Sequence, residues 1–328
     1  MSMNDTSSTE SQPVLAAKTT VEQISELKDL IPPSSDGPVI AIDLDDVLCS
    51  TNVELAECAY ILLTRLRSTG HKTVNILGHN KTYGTQMTLN DFYYNYYWKA
   101  SRNPSWGTPS TTRAKIWEFY ISGQMSKARP VPGAREGVEA LRALGYRLII
   151  VTARSKEGQA GSWAWVERWF PGCFHSMICT GQFLNSPGKP VQDGVGSMTS
   201  AHKNNDTPTK LSKAQVCIDI GAKLLIDDSL EHALACVNYI PLDGVAKPPP
   251  VLLFGSYEWN KRLSLGSEER DDMVYDVRFK LEDGKFLDED VKRGDEALEQ
   301  ANTKHSVRRV KDWSEVVRYV TNVKDDLV

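Results

Sequence analysis

Short apolar runs recur along this chain with helical patterns between them: "VIAI" at 39–42, "YRLIIVTAR" at 146–154, "HSMICT" at 175–180, "AKLLIDDS" at 222–229 and "PPVLLFG" at 249–255. None alternates apolar with polar residues, so a sheet built from them must be covered on both faces. Helices between consecutive strands supply that cover and make the strands parallel. The expected fold class is α/β, a Rossmann-like, doubly wound parallel sheet. "PGAREGVEALRALG", "GQAGSWAWVERWF", "SKAQVCIDIG" and "LEHALACVNY" are the expected crossover helices, and "VRRVKDWSEVVRYV" adds a last strand and a helix capped by Asp312.

Between the first two strands lies a long block without strand-like alternation, residues 51–130. It reads as all-helical: one helix in "NVELAECAYILLTRLRSTG" closed by Gly70, one opened by the box "TLND" into "DFYYNYYWKA", and one in "TTRAKIWEFYIS". The core then comprises 38–50 and 131–328, behind a polar tail and short helix at 1–37. Two segments interrupt it. Residues 185–209 are rich in Gly, Pro, Ser and Asn and are expected to form a long mobile loop. Residues 264–303 are dense in charge and are expected to be a second mobile insertion, with a hairpin around "EDGK".

Composition excludes several classes. The net charge of −4 is not that of a protein that binds a nucleic-acid polymer. The N-terminal residues have neither the basic nor the apolar region of a signal peptide, and no apolar run approaches a membrane span of about 20 residues. Six scattered cysteines without a C-x-x-C pair read as reduced packing residues, so the expected setting is the cytoplasm. Neither G-x-x-x-x-G-K-[ST] nor G-x-S-x-G occurs, which removes P-loop kinases and serine hydrolases.

In open α/β sheets the ligand lies beyond the carboxyl ends of the strands. There the first strand carries Asp43, Asp45 and Asp46, the second Thr152 and Arg154, the third Thr180, and the fourth Asp227, Asp228 and Ser229. Lys213 opens the helix that feeds the fourth strand, with Lys210 as an alternative. Asp43 with Asp227 or Asp228 makes an all-oxygen cluster suited to Mg²⁺. Residues 43 and 45 share a face if the strand continues, so one carboxylate can attack phosphorus while the other handles a proton. Thr152 and Lys213 are expected to bind phosphoryl oxygens. A response-regulator receiver also uses such groups, but there the acidic pair comes early, whereas here it comes last.

The order "AIDLDDV", "IIVTAR", Lys213, "LLIDD" resembles the four motifs of the haloacid dehalogenase (HAD) superfamily over roughly residues 38–255. The resemblance implies a Mg²⁺-dependent phosphohydrolase acting on a small phosphorylated metabolite. Asp43 would be the nucleophile that forms a phosphoaspartyl intermediate, and Asp45 the acid and then the base. Mg²⁺ would lie among Asp43, the Asp45 backbone carbonyl and Asp227, with Asp228 in support. The 51–130 block sits where a C1 cap would, and the layout is similar to the 5′(3′)-deoxyribonucleotidase-like branch. The aromatics at 92–98 could cover substrate or pack the cap. The alternative is a catalytically inactive HAD-fold binding or regulatory protein. Nothing in the sequence names a protein partner.

Overall fold

The computed structural model describes residues 37–57, 59–61, 76–78, 88–100, 106–121, 123–181, 212–241, 244–264, 270–302 and 307–327. The tail, the expected helix at 21–30, the loop at 185–209 and Lys210 lie outside them.

Six strands form one parallel sheet: β1 (Val39–Ile42), β4 (Arg147–Thr152), β5 (Ser176–Cys179), β6 (Ala222–Asp227), β7 (Val251–Phe254) and β8 (Val307–Val310). Their order is β5-β4-β1-β6-β7-β8. Ile42 of β1 lies beside Ile150 of β4 and Ile226 of β6. The chain winds outwards from β1 to β5, then returns to the other side of β1 with β6. The reversal falls between β1 and β6, at whose carboxyl ends Asp43 and Asp227 stand, the place where open α/β sheets bind ligands.

Each sheet face is dry because strand residues two apart share a face. Val39, Ala41, Ile149, Val151, Leu225 and Leu253 meet α6 (Lys213–Asp219), α7 (Leu230–Val237) and α9 (Phe286–Asn302). Ile40, Ile42, Leu148, Ile150, Leu224 and Phe254 meet α4 (Ala134–Ala143), α5 (Gln159–Trp169) and α10 (Trp313–Asn322). In α4, Ala134, Val138 and Leu141 fall on one buried stripe, and Gly145, at φ 93°, ends the helix region.

Two expectations about the intervening segments fail. The helix from residue 52 stops early: α1 covers Thr51–Glu57, and β2 (Ala59–Ile61) then pairs antiparallel with β3 (Ile76–Gly78). The block is therefore not all-helical; a short apolar run such as "AYILL" suits a strand as well as a helix, and spacing alone cannot tell them apart. The "TLND" box does form, with the Asp91 carboxylate accepting from the Thr88 N–H at 2.7 Å, but it opens one 3₁₀ turn, Leu89–Asp91. Helix returns only at α2 (Tyr97–Ala100) and α3 (Pro109–Ile121).

The 264–303 segment is likewise no hairpin. Its described part forms α8 (Tyr275–Glu282) and α9, joined at Asp283, which adopts a left-handed conformation at φ 51°. Helix α9 is the crossover between β7 and β8, and Leu298 and Ala301 lie in the core. Among the described residues, no helix is long and apolar enough to cross a membrane.

Helix α4 packs on Trp313 so closely that a Cβ on Gly137 would fall 2.3 Å from the indole Cε3. Gly137→Ala is expected to lower the unfolding free energy by about 1–3 kcal/mol through overpacking. Urea unfolding measures this, and a variant as stable as the parent would show that Trp313 can yield.

Candidate active site

The first strand ends at Ile42, and the chain leaves the sheet immediately. The Asp43 N–H donates to the Ile226 carbonyl at 2.9 Å, its last link to β6. A tight turn follows in which Asp46 takes φ 52°, an unusual backbone state for a residue with a side chain. Three contacts hold it: the Asp46 N–H donates to the Cys49 carbonyl at 2.7 Å, the Asn52 N–H donates to Asp46 Oδ1 at 3.0 Å, and the Tyr257 hydroxyl donates to the Asp46 carbonyl at 2.8 Å. This turn, rather than continuation of the strand, sets where Asp43 and Asp45 point.

Asp43 points to Lys213. The ammonium, at the first residue of α6, lies 2.8 Å from Asp43 Oδ2 and 2.6 Å from Asp227 Oδ2. All three side chains are buried. Ser212 caps α6 by accepting the Gln215 N–H at 3.0 Å, which fixes the start of the helix and with it the root of Lys213. Asp227 Oδ1 accepts the Ser229 N–H at 2.9 Å, and His232 Nδ1 lies 3.5 Å away. Asp228 turns elsewhere: its Oδ2 accepts the Trp259 indole N–H at 2.6 Å.

Asp45 points to Arg154. Arg154 Nη2 donates to Asp45 Oδ1 at 2.6 Å and Nε to Oδ2 at 3.0 Å, and the Thr51 hydroxyl also donates to Oδ1. Thr152 is fully buried, and its Oγ1 accepts the Arg154 N–H at 3.2 Å. In this structure the hydroxyl shapes the bend that directs Arg154 inwards.

Charge governs the site. Five carboxylates, Asp43, Asp45, Asp46, Asp227 and Asp228, stand against two cations, Lys213 and Arg154. Burial, opposed by Lys213, pushes Asp43 up to about 7. Burial and then the neighbouring carboxylates hold Asp46 and Asp228 well above the usual range. Burial would raise Asp45 and Asp227 too, but Arg154 keeps the first below its ordinary value and Lys213, then His232, the second. Burial and the Lys213 charge lower His232, which favours its neutral form. Protons or a cation must offset the remaining negative charge.

A divalent ion fits this surplus. Donor atoms of Asp43, Asp227 and His232 lie within 4.8 Å of one another. Two carboxylates with open positions for water and phosphate suit Mg²⁺, while a neutral imidazole is a donor for softer ions. The Asp45 side chain is already engaged by Arg154 and Thr51.

The structure thus brings Asp43, Lys213 and Asp227 into one contact group and gives Asp45 a separate partner. Sequence reasoning listed Arg154 only as a strand end and passed over Thr51, His232 and Trp259. His232 carried one signal, its place in the first turn of the helix after "IDDS". The aromatic segment divides: Phe92, Tyr94 and Trp98 are buried packing residues, whereas Tyr93, Tyr96 and Tyr97 are half-buried.

No family model and no curated protein matches this chain. Among solved structures it is similar to a HAD family hydrolase from Deinococcus radiodurans R1 with bound phosphate and sodium. That match has 13% identity, covers 90% of this chain and 99% of the other, and has a TM-score of 0.38. It is also similar to the HAD-hydrolase YfnB from Bacillus subtilis bound to magnesium, at 12% identity, 66% and 94% coverage, and a TM-score of 0.33.

Removing one partner from a buried ion group leaves charge uncompensated. Lys213→Met is expected to cost about 3–5 kcal/mol of stability. Adding Asp43→Asn to that variant should recover part of the loss in urea unfolding. A double variant no more stable than the single one would mean that repulsion between Asp43 and Asp227 is not the cause.

Proposed function

We propose that this chain is a metal-dependent phosphohydrolase of the HAD type, cleaving a small phosphomonoester through a phosphoaspartyl intermediate. The observation that carries this reading is the Asp43–Lys213–Asp227 group at the sheet's reversal, with a second carboxylate, Asp45, two residues from the first. A structural ion pair needs one carboxylate per cation; surplus buried carboxylates that face a crevice point to chemistry.

In the proposed reaction Asp43 attacks phosphorus in line, and the bond from phosphorus to the leaving oxygen breaks. Asp45, entering the cycle protonated beside the anionic substrate, gives its proton to that oxygen and is left as a carboxylate. Water then attacks the phosphorus of the intermediate and gives its proton to Asp45. The phosphorus–Asp43 bond breaks, and its electron pair returns to the Asp43 carboxylate. Lys213 neutralises Asp43 and offers an N–H to a phosphoryl oxygen. Thr152 supports the bend that sets Arg154, and its remaining O–H is available to the phosphoryl group. Mg²⁺ bound by Asp43, the Asp45 carbonyl and Asp227, with Asp228 in support, would supply positive charge to the phosphoryl oxygens.

The segment between β1 and α4 serves in this reading as a C1-type cap, with Tyr97 and Tyr120 as its contribution to the crevice. Both phenols feel the Asp45 charge, and burial pushes both well above the ordinary range. An aromatic rim of this kind accepts a nucleobase or a sugar face, which agrees with a nucleotide-like substrate.

The test is phosphate release from nucleoside monophosphates, sugar phosphates and p-nitrophenyl phosphate, with Mg²⁺ and with EDTA. Release is expected with metal only, and Asp43→Asn should reduce it more than about a thousandfold. A folded, Mg²⁺-binding protein that releases no phosphate from any compound would favour the inactive binding protein instead.

A further inference from the structure

Arg154 has no place in the chemistry so far, yet it is the most constrained charged group of the site. It leaves the end of β4 with each of its three guanidinium nitrogens donating a hydrogen bond. Nη1 donates to Ser162 Oγ at 2.8 Å, and that hydroxyl donates in turn to the Gly158 carbonyl at 2.9 Å. The guanidinium carbon lies 5.2 Å from the centre of the Tyr120 ring. Nη2 and Nε grip Asp45 as a fork, the geometry in which arginine binds a carboxylate most specifically. A strand end, helix α5 and the intervening segment's α3 thus fix one side chain, which no packing requirement of the sheet demands.

The two Asp45 oxygens are loaded unequally. Oδ1 accepts from Nη2 at 2.6 Å, from Nε at 3.2 Å and from the Thr51 hydroxyl. Among the described residues Oδ2 accepts from Nε alone, at 3.0 Å. A carboxylate oxygen has two lone pairs, so Oδ2 keeps one open. The Asp45 side chain is 21% exposed and that of Arg154 only 6%. The carboxylate is the more open to solvent of the two, and the guanidinium is buried.

We propose that Arg154 is the positioning residue of Asp45, holding the carboxylate so that Oδ2 takes the proton of the water that hydrolyses the phosphoenzyme. The inference rests on the phosphohydrolase reading above. In the step concerned, the water oxygen bonds to phosphorus, the phosphorus–Asp43 bond breaks towards Asp43, and the water proton passes to Asp45 Oδ2. Arg154 touches neither phosphorus nor water. A substrate-binding arginine would turn its nitrogens to the phosphoryl oxygens, whereas each nitrogen of this one already donates to Asp45 or Ser162.

Rapid mixing of the full chain with p-nitrophenyl phosphate and Mg²⁺ tests the assignment, using wild type, Arg154→Ala and Arg154→Lys. In Arg154→Ala a burst of p-nitrophenolate close to one per enzyme is expected. The steady rate after it should be slower by about 10²–10⁴-fold, the range for a lost proton-transfer catalyst. Acid quenching should recover phosphoenzyme. An alkyl phosphate, whose leaving oxygen needs the Asp45 proton, should form phosphoenzyme more slowly in this variant as well and show no burst. Arg154→Lys keeps the charge and loses the fork, and should show the same burst; it decides the matter if the alanine variant does not fold. A raised KM with kcat intact would make Arg154 a phosphate ligand and overturn the assignment. So would a burst slowed as much as the steady rate. Wild type without release from any substrate would instead sink the phosphohydrolase reading itself.

Discussion

Everything at the carboxyl edge of this sheet depends on how five carboxylates share two cations in a place water hardly reaches. Coulomb repulsion among charges at such spacing is strong in a medium of low effective dielectric. The fold answers by separating them. Asp43 pairs with Lys213 and Asp45 with Arg154. Asp227 shares Lys213 with Asp43, and Asp228 is left to the indole of Trp259. Asp45, gripped by Arg154, and Asp227, beside Lys213 and His232, are kept below the ordinary value, while burial pushes Asp43, despite its share of Lys213, and Asp46 and Asp228 upwards. One arrangement therefore produces both a group that stays charged and a group whose charge must be supported from outside.

That split explains why the site is legible in part from sequence. The strands are continuous apolar runs, which leave few alternatives to a covered parallel sheet. Their carboxyl ends follow directly, so Asp43, Thr152, Asp227 and Asp228 could be placed on one edge. Lys213 was legible because Ser212 marks the helix start one residue before it. Arg154 sits in the same quoted stretch as Thr152, but its role depends on a guanidinium folding back across the sheet edge. Nothing in local spacing reports that. Asp45 was read as sharing a strand face with Asp43, and the turn at Asp46 removes that premise.

The misreading of 264–303 has a sharper cause. The buried stripe of α9 runs Phe286, Asp290, Gly294, Leu298 and Ala301, a regular helical spacing. Two of those five positions hold an aspartate and a glycine, so a search for apolar residues at that spacing breaks in the middle. Both are explained by what they face. Gly294 meets the Lys261 carbonyl, where a Cβ would approach to 2.8 Å. Asp290 accepts from the Tyr94 hydroxyl at 2.7 Å, from Arg278 at 2.9 Å and from Arg293. Tertiary partners, not propensity, decide these positions.

The Asp290 group also shows how the segment between β1 and α4 is tied to the core. Tyr94 reaches α9 through Asp290, Lys99 donates to Ser264 at 2.9 Å, and Asn95 donates to Ser229 at 3.3 Å. Tyr97 joins Asn52 at 2.7 Å, beside the turn that carries Asp46. A fully buried carboxylate shared by two guanidinium groups and a phenol gains little net stability, since desolvation offsets attraction. What it supplies is a fixed register: Tyr94 meets its partners only where Asp290 and Arg278 already stand together. With Tyr94 so fixed, Tyr97 follows three residues later, beside Asn52. The charged stretch that looked like an appendage is thus the base on which this rim of the site is set.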